Sequence, residues 1–82
     1  MNTKFIPQQK LLPPLNEWVM IDYTDRYIGF IVKAVKIFEI AKDNNKLLVQ
    51  LDTRDIKVPL TVGTHWSWRM PTPEEYEQYK LD

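Results

Sequence analysis

Residues Tyr27 to Ile40 read Tyr-Ile-Gly-Phe-Ile-Val-Lys-Ala-Val-Lys-Ile-Phe-Glu-Ile, and the reading of this run decides the fold. Lys33, Lys36 and Glu39 recur three apart, a spacing that a helix tolerates. The same run holds Ile28, Phe30, Ile31, Val32, Val35, Ile37, Phe38 and Ile40. That β-branched and aromatic load favours strand. Gly29 near the start weakens a helix further. The run is read as one long, bent strand, with a bulge near Lys33 to Lys36 where the alternation slips out of phase.

Working outward, Asp43-Asn44-Asn45 follows as a tight hairpin turn, because Asn and Asp tolerate left-handed backbone and apolar runs flank them. Leu47 to Leu51 returns as the partner strand, and Asp52-Thr53-Arg54-Asp55 turns again. Ile56, Val58, Leu60 and Val62 alternate strictly, as in a half-buried strand. Pro59 within that strand belongs on a sheet edge or at a bulge. His65 to Arg69 gives a last short strand with Trp66 and Trp68 on one side. Upstream, Trp18 to Tyr23 is a first strand whose Val19, Ile21 and Tyr23 face the core. Thr72-Pro73-Glu74-Glu75 opens a short helix to about Lys80, with Thr72 as cap and Glu75 completing a capping box.

Residues 1–15 read as an extended, proline-containing arm. Pro7, Pro13 and Pro14 fix the backbone, and Leu11-Leu12-Pro13-Pro14-Leu15 favours polyproline II. The arm is expected to lay its leucines along the outside of the core rather than serve as a proline-rich ligand, since no clear P-x-x-P frame is present. The division is therefore an arm over 1–15, a β-barrel domain over 16–70 and a short acidic helical tail over 71–82. The fold class is mostly β: a small SH3-like barrel or a strongly curved antiparallel sheet of four to five strands. The Tyr27-x-Gly29-x-Ile31 run, with a tryptophan before it, loosely resembles SH3-like modules; this is likeness of pattern and assigns no site.

The chain has 82 residues and no cysteine. It is long enough for one core and must hold that core by packing alone or with help from a partner. Without cysteine, disulfides, thiolate zinc sites and cysteine nucleophiles are all removed. One His and one Ser, His65 and Ser67, share a strand face without an orienting acid or a nucleophile turn, which argues against an enzyme. Scattered carboxylates and a single His predict no metal site, and two glycines give no phosphate loop, so no cofactor is expected. No apolar run is long enough to cross a membrane, and a cytoplasmic setting fits the lack of cysteine.

Net charge is zero, but it is unevenly spread. Arg26 to Arg69 carries +4 and Met70 to Asp82 carries −3. The aromatic set Trp18, Tyr23, Tyr27, Trp66 and Trp68 falls at strand ends or near turns and is the candidate partner-binding rim. Lys33, Lys36, Lys42, Lys46, Arg54 and Lys57 form a second candidate set, a weak single-stranded nucleic-acid face. The expected function is a small non-enzymatic protein-interaction module. It would be an accessory or regulatory subunit that binds a partner protein through exposed aromatics or a strand edge. Nucleic acid is the alternative partner, and self-association into a homo-oligomer is a further option.

Overall fold

A computed structural model describes residues 4–81. Its elements are β1 (Ile6–Pro7), β2 (Trp18–Asp25), β3 (Gly29–Ile40), β4 (Lys46–Gln50), β5 (Val58–Thr61), β6 (Ser67–Arg69) and α1 (Pro73–Gln78). The strands form one antiparallel sheet in the order β1-β6-β2-β3-β4-β5. This is a mostly β fold with one short C-terminal helix, but the sheet is open rather than closed into a barrel. Six strands replace the expected four to five, because Ile6 and Pro7 of the arm pair with Trp68 and Ser67.

The long strand forms as its composition dictates, and its bulge lies further along than expected. Ile37 pairs with Val49 and Glu39 with Leu48, so Phe38 is the extra residue. Ile31, Lys33, Val35 and Ile37 keep one phase, and the bulge brings Ile40 back onto the same side. Lys33 does not break that phase. Its ammonium reaches over the Tyr23 ring, 5.7 Å from the centroid, so the charge snorkels out along an aromatic face.

The inward face of the sheet carries the main core: Val19, Ile21, Tyr23, Val35, Ile37, Leu47, Val49, Val62, Trp66 and Trp68. Trp66 sits at its centre. The indole nitrogen donates to the Asn44 carbonyl at 2.5 Å. The Trp66 carbonyl accepts from the Gln8 N–H at 3.1 Å. Asn44 takes the left-handed backbone expected of the hairpin, at φ 60°. These bonds join the β5–β6 link to both the arm and the β3–β4 turn, so the sheet must curl.

The arm differs from its expected form. The Lys10 N–H donates to the Pro7 carbonyl at 2.9 Å, so the chain turns after β1 instead of remaining extended. Pro13 is buried, while Leu11, Leu12 and Leu15 are about half exposed, the reverse of the expected packing. The Trp68 indole nitrogen, donating to the Leu11 carbonyl at 2.8 Å, holds this stretch by its backbone.

A second, smaller core lies on the outer face, where Trp18, Met20 and Ala34 are covered by Phe5, Tyr76 and Leu81. This explains why Met20 is buried although it faces away from the main core. The helix is held there by its capping box, Thr72 Oγ1 accepting from the Glu75 N–H at 3.2 Å and Glu75 Oε1 accepting from the Thr72 N–H at 2.9 Å. Glu75 also meets Arg69 of β6 through two parallel bonds of 2.6 and 2.8 Å. The Arg69 guanidinium in turn lies 4.9 Å over the Phe5 ring, so arm, sheet and helix are stacked on one charge.

Two predictions follow from this packing. Trp66→Phe removes the indole donor and part of the core volume, and is expected to cost about 2–3 kcal/mol in urea unfolding with an unchanged denaturant slope. The second concerns Glu75, whose carboxyl the Arg69 guanidinium holds at about 2, below its ordinary 4.5. The unfolded chain therefore takes up this proton first as pH falls. The contribution is complete above about 4.5 and drains away towards 2. Allowing for partial exposure of the pair, it amounts to about 1–2 kcal/mol. Glu75→Gln should lower the urea midpoint near neutral pH and flatten its decline between about pH 4.5 and 2.

Candidate functional site

The β2–β3 hairpin is built to stand out from the core. Asp25 and Gly29 close it as the last ladder pair. Asp25 Oδ1 accepts from the Tyr27 and Ile28 N–H groups at 2.8 and 3.0 Å. Those two donors hold the Asp25 carboxyl below the usual carboxylate range. Gly29 sits at φ 99°, a backbone that only glycine adopts freely, and it completes a three-residue turn of the bulged kind. The tip is thus fixed by local bonds and owes little to side-chain packing.

That rigid hairpin displays apolar side chains. Tyr27 is 88 %, Ile28 77 %, Phe30 70 % and Val32 44 % exposed. Phe30 and Val32 lie opposite Thr24 and Asp22 of β2 and share the outer face with Trp18, Met20 and Ala34. Phe30, Val32 and Ala34 therefore form one outward stripe, of which α1 covers only the Ala34 end, and the exposed Ile28 precedes it in the turn. Beside it a groove of about 250 Å³ is lined by Val32, Ala34, Leu51, Tyr79 and Leu81 together with the charged Lys33 and Asp52. Tyr27 leans elsewhere, into a cleft with Thr24, Arg26, Thr61 and Gly63.

The five aromatics expected at a binding rim are not brought together on the surface. Trp18, Tyr23, Trp66 and Trp68 are 1–6 % exposed and belong to the two cores, where their area holds a chain without disulfides. Tyr27 alone of the set is open to a partner. The missed residues are Ile28, Phe30 and Val32. Their signal was present: apolar side chains occupy both phases of the first half of β3, and one short helix cannot cover the whole second face.

The six basic residues do not line one face. Lys36 pairs with Trp18 and so faces outward, whereas Lys33 faces inward over Tyr23. Lys42 lies in the β3–β4 turn. Lys46 faces outward on β4, near Glu39 across the ladder. The Lys57 ammonium stacks 4.5 Å over Phe38. Arg54 is paired with Asp52 at 2.9 Å, which raises the Arg54 pKa and lowers that of Asp52.

Each edge strand carries a proline. Val62 donates its N–H to the Asn45 carbonyl, so even-numbered residues of this stretch face β4 and the Pro59 nitrogen faces out. Pro59 thus removes an outward donor from edge strand β5, and Pro7 removes one from edge strand β1. His65 is exposed, and Ser67 is half-buried opposite Asp22 in the ladder. Among the described residues no group of three His, Asp or Glu is placed to hold a metal ion, and no helix is long and apolar enough to cross a membrane. Comparison with protein-family models, curated proteins and solved structures finds no match.

Because Gly29 sets the hairpin tip, Gly29→Ala is expected to destabilise the fold by about 1–2 kcal/mol in chemical unfolding, although open space surrounds the position.

Proposed function

We propose that this chain is a small cytoplasmic protein-interaction module without catalytic activity, serving as an accessory or regulatory subunit. It binds a protein partner through the outward side chains of the β2–β3 hairpin. The observation that carries this reading is the exposure of Ile28, Phe30 and Val32 on a backbone fixed at its tip by Asp25 and Gly29. Apolar side chains on a rigid support lose little entropy on binding, and a large exposed ring beside aliphatic neighbours is a usual centre of binding energy. Apolar patches rimmed by polar groups such as Thr24, Asp22 and Asp52 mark interaction sites more often than ordinary surface. With both edges carrying proline, the contact is made by side chains and not by an added strand.

The test is capture by the tagged full chain and by its Phe30→Asp variant from cytosolic extract, with and without nuclease. Phe30 contributes little to the core, so the variant should keep its thermal midpoint within about 2 °C. A nuclease-resistant, stoichiometric protein that the variant loses is the expected result. Equal capture by both chains would remove the hairpin from the reading. Capture abolished by nuclease would favour nucleic acid as the partner instead.

A further inference from the structure

We propose that Thr72 to Leu81 is a hinged cover, which lifts from the outer face while the sheet beneath it stays folded. The opening is a property of the fold and does not depend on the interaction reading above. It gives the outer face two states. In one, Trp18, Met20 and Ala34 are sealed; in the other they are bared in line with Phe30 and Val32.

The cover is lightly held. None of the residues of α1 is buried. Tyr76 and Leu81 are half-buried and supply its apolar contact with Trp18, Met20 and Ala34. Among the described residues no Cα of α1 comes within 8 Å of a strand Cα, so the cover rests on side chains alone. Its own backbone bonds are local: the Tyr76, Tyr79 and Leu81 N–H groups donate to the Thr72, Glu75 and Tyr76 carbonyls at 3.0, 2.9 and 2.9 Å. A helix this short does not persist in water once it leaves its support. Lifting is therefore local unfolding of one terminal segment, which costs less than unfolding the core.

One polar tie fastens the cover to the sheet. Among the described residues, the hydrogen bonds between this segment and a strand both join Glu75 to Arg69, at 2.6 and 2.8 Å. The tie is imperfect, because Arg69 Nε is buried with no hydrogen-bond partner and closure bears that desolvation cost.

Both boundaries of the moving part are visible. Pro71 is buried and pins the chain just before Thr72. At the far end, Tyr79 and Leu81 are parted from Val32 and Ala34 by the groove of about 250 Å³, and its charged Lys33 and Asp52 let water into the seam. The main core lies on the other face and includes no residue of the cover, so lifting leaves it intact.

The experiment uses thiol reactivity, since the chain has no cysteine of its own. In the full chain, Ala34→Cys puts a thiol beneath the cover, and Val35→Cys puts one in the main core of the same strand. Reaction with an aromatic disulfide reagent is timed in water and in low urea, and each variant's global stability is measured by urea unfolding. The Ala34→Cys thiol should react at least about tenfold faster than global unfolding allows, with little dependence on urea. The Val35→Cys thiol should react only through global unfolding. Adding Glu75→Gln should speed the Ala34→Cys reaction by about fivefold or more. Equal rates and equal urea slopes at the two positions overturn the inference, because the cover then opens only with the whole molecule. So does a fast Ala34→Cys reaction that Glu75→Gln leaves unchanged, because the reagent then enters by another route. Amide exchange on the unmodified chain guards against a misfolded variant. The Tyr76, Tyr79 and Leu81 amides should exchange with a smaller urea dependence than the slowest amides of β2 and β3, and a shared dependence overturns the inference as well.

Discussion

Much of this structure depends on how the Trp66 indole is satisfied. A buried tryptophan brings a large apolar area and one N–H donor that must find an acceptor. Here the acceptor is a backbone carbonyl in a distant turn, the Asn44 oxygen, which the left-handed geometry of Asn44 accompanies. The connection between β5 and β6 therefore has to cross towards the β3–β4 hairpin. The sheet curls to allow that crossing, and the side chains of β2 to β6 converge on one concave core. Without this anchoring bond the same strands could lie as a flatter sheet with a thinner core.

Curling in one direction leaves the opposite face convex and under-covered. The chain meets that demand with few residues. Tyr76 of the helix, Leu81 and Phe5 cover Trp18, Met20 and Ala34. The helix has no buried residue of its own, so its docking leans on the Arg69–Glu75 pair and the capping box. Arg69 is contacted from three sides, by a carboxylate, a carbonyl and an aromatic ring, although its buried Nε has no hydrogen-bond partner. What the helix cannot reach remains exposed along β3. The surface stripe is thus a geometric consequence of the curled core combined with a short cover, and the polar turn at its end keeps it from collapsing inward.

Much of this was legible in the residues. The strand character of Tyr27 to Ile40, the Asn44 turn, the inward set Val19, Ile21 and Tyr23, the capping box and the edge position of Pro59 are all local, and local chemistry announces them. The bulge was legible in kind but not in place, because Lys33 looks like a break in phase until the Tyr23 ring beneath it is seen. β1 was not legible, since two residues carry no periodicity and the pairing partner lies some sixty residues away. The candidate site was least legible. Aromatic residues advertise themselves equally as core and as contact, and whether Trp68 or Phe30 faces water depends on which face the helix covers. That is a tertiary fact. Lys36 and Lys46 share the outer face while Lys33 does not, and this too follows from register.

Gln8 gives the arm a particular mechanical character. Its side-chain amide donates to the Thr64 carbonyl at 2.8 Å and accepts from the Asn44 amide at 3.0 Å, while its own N–H bonds Trp66. The strand it follows contributes just two ladder positions. The arm is thus fastened less like a zipper than like a latch, since turning one amide releases both of its side-chain bonds together. Its release would bare one side of Trp66, whose carbonyl the Gln8 N–H otherwise bonds.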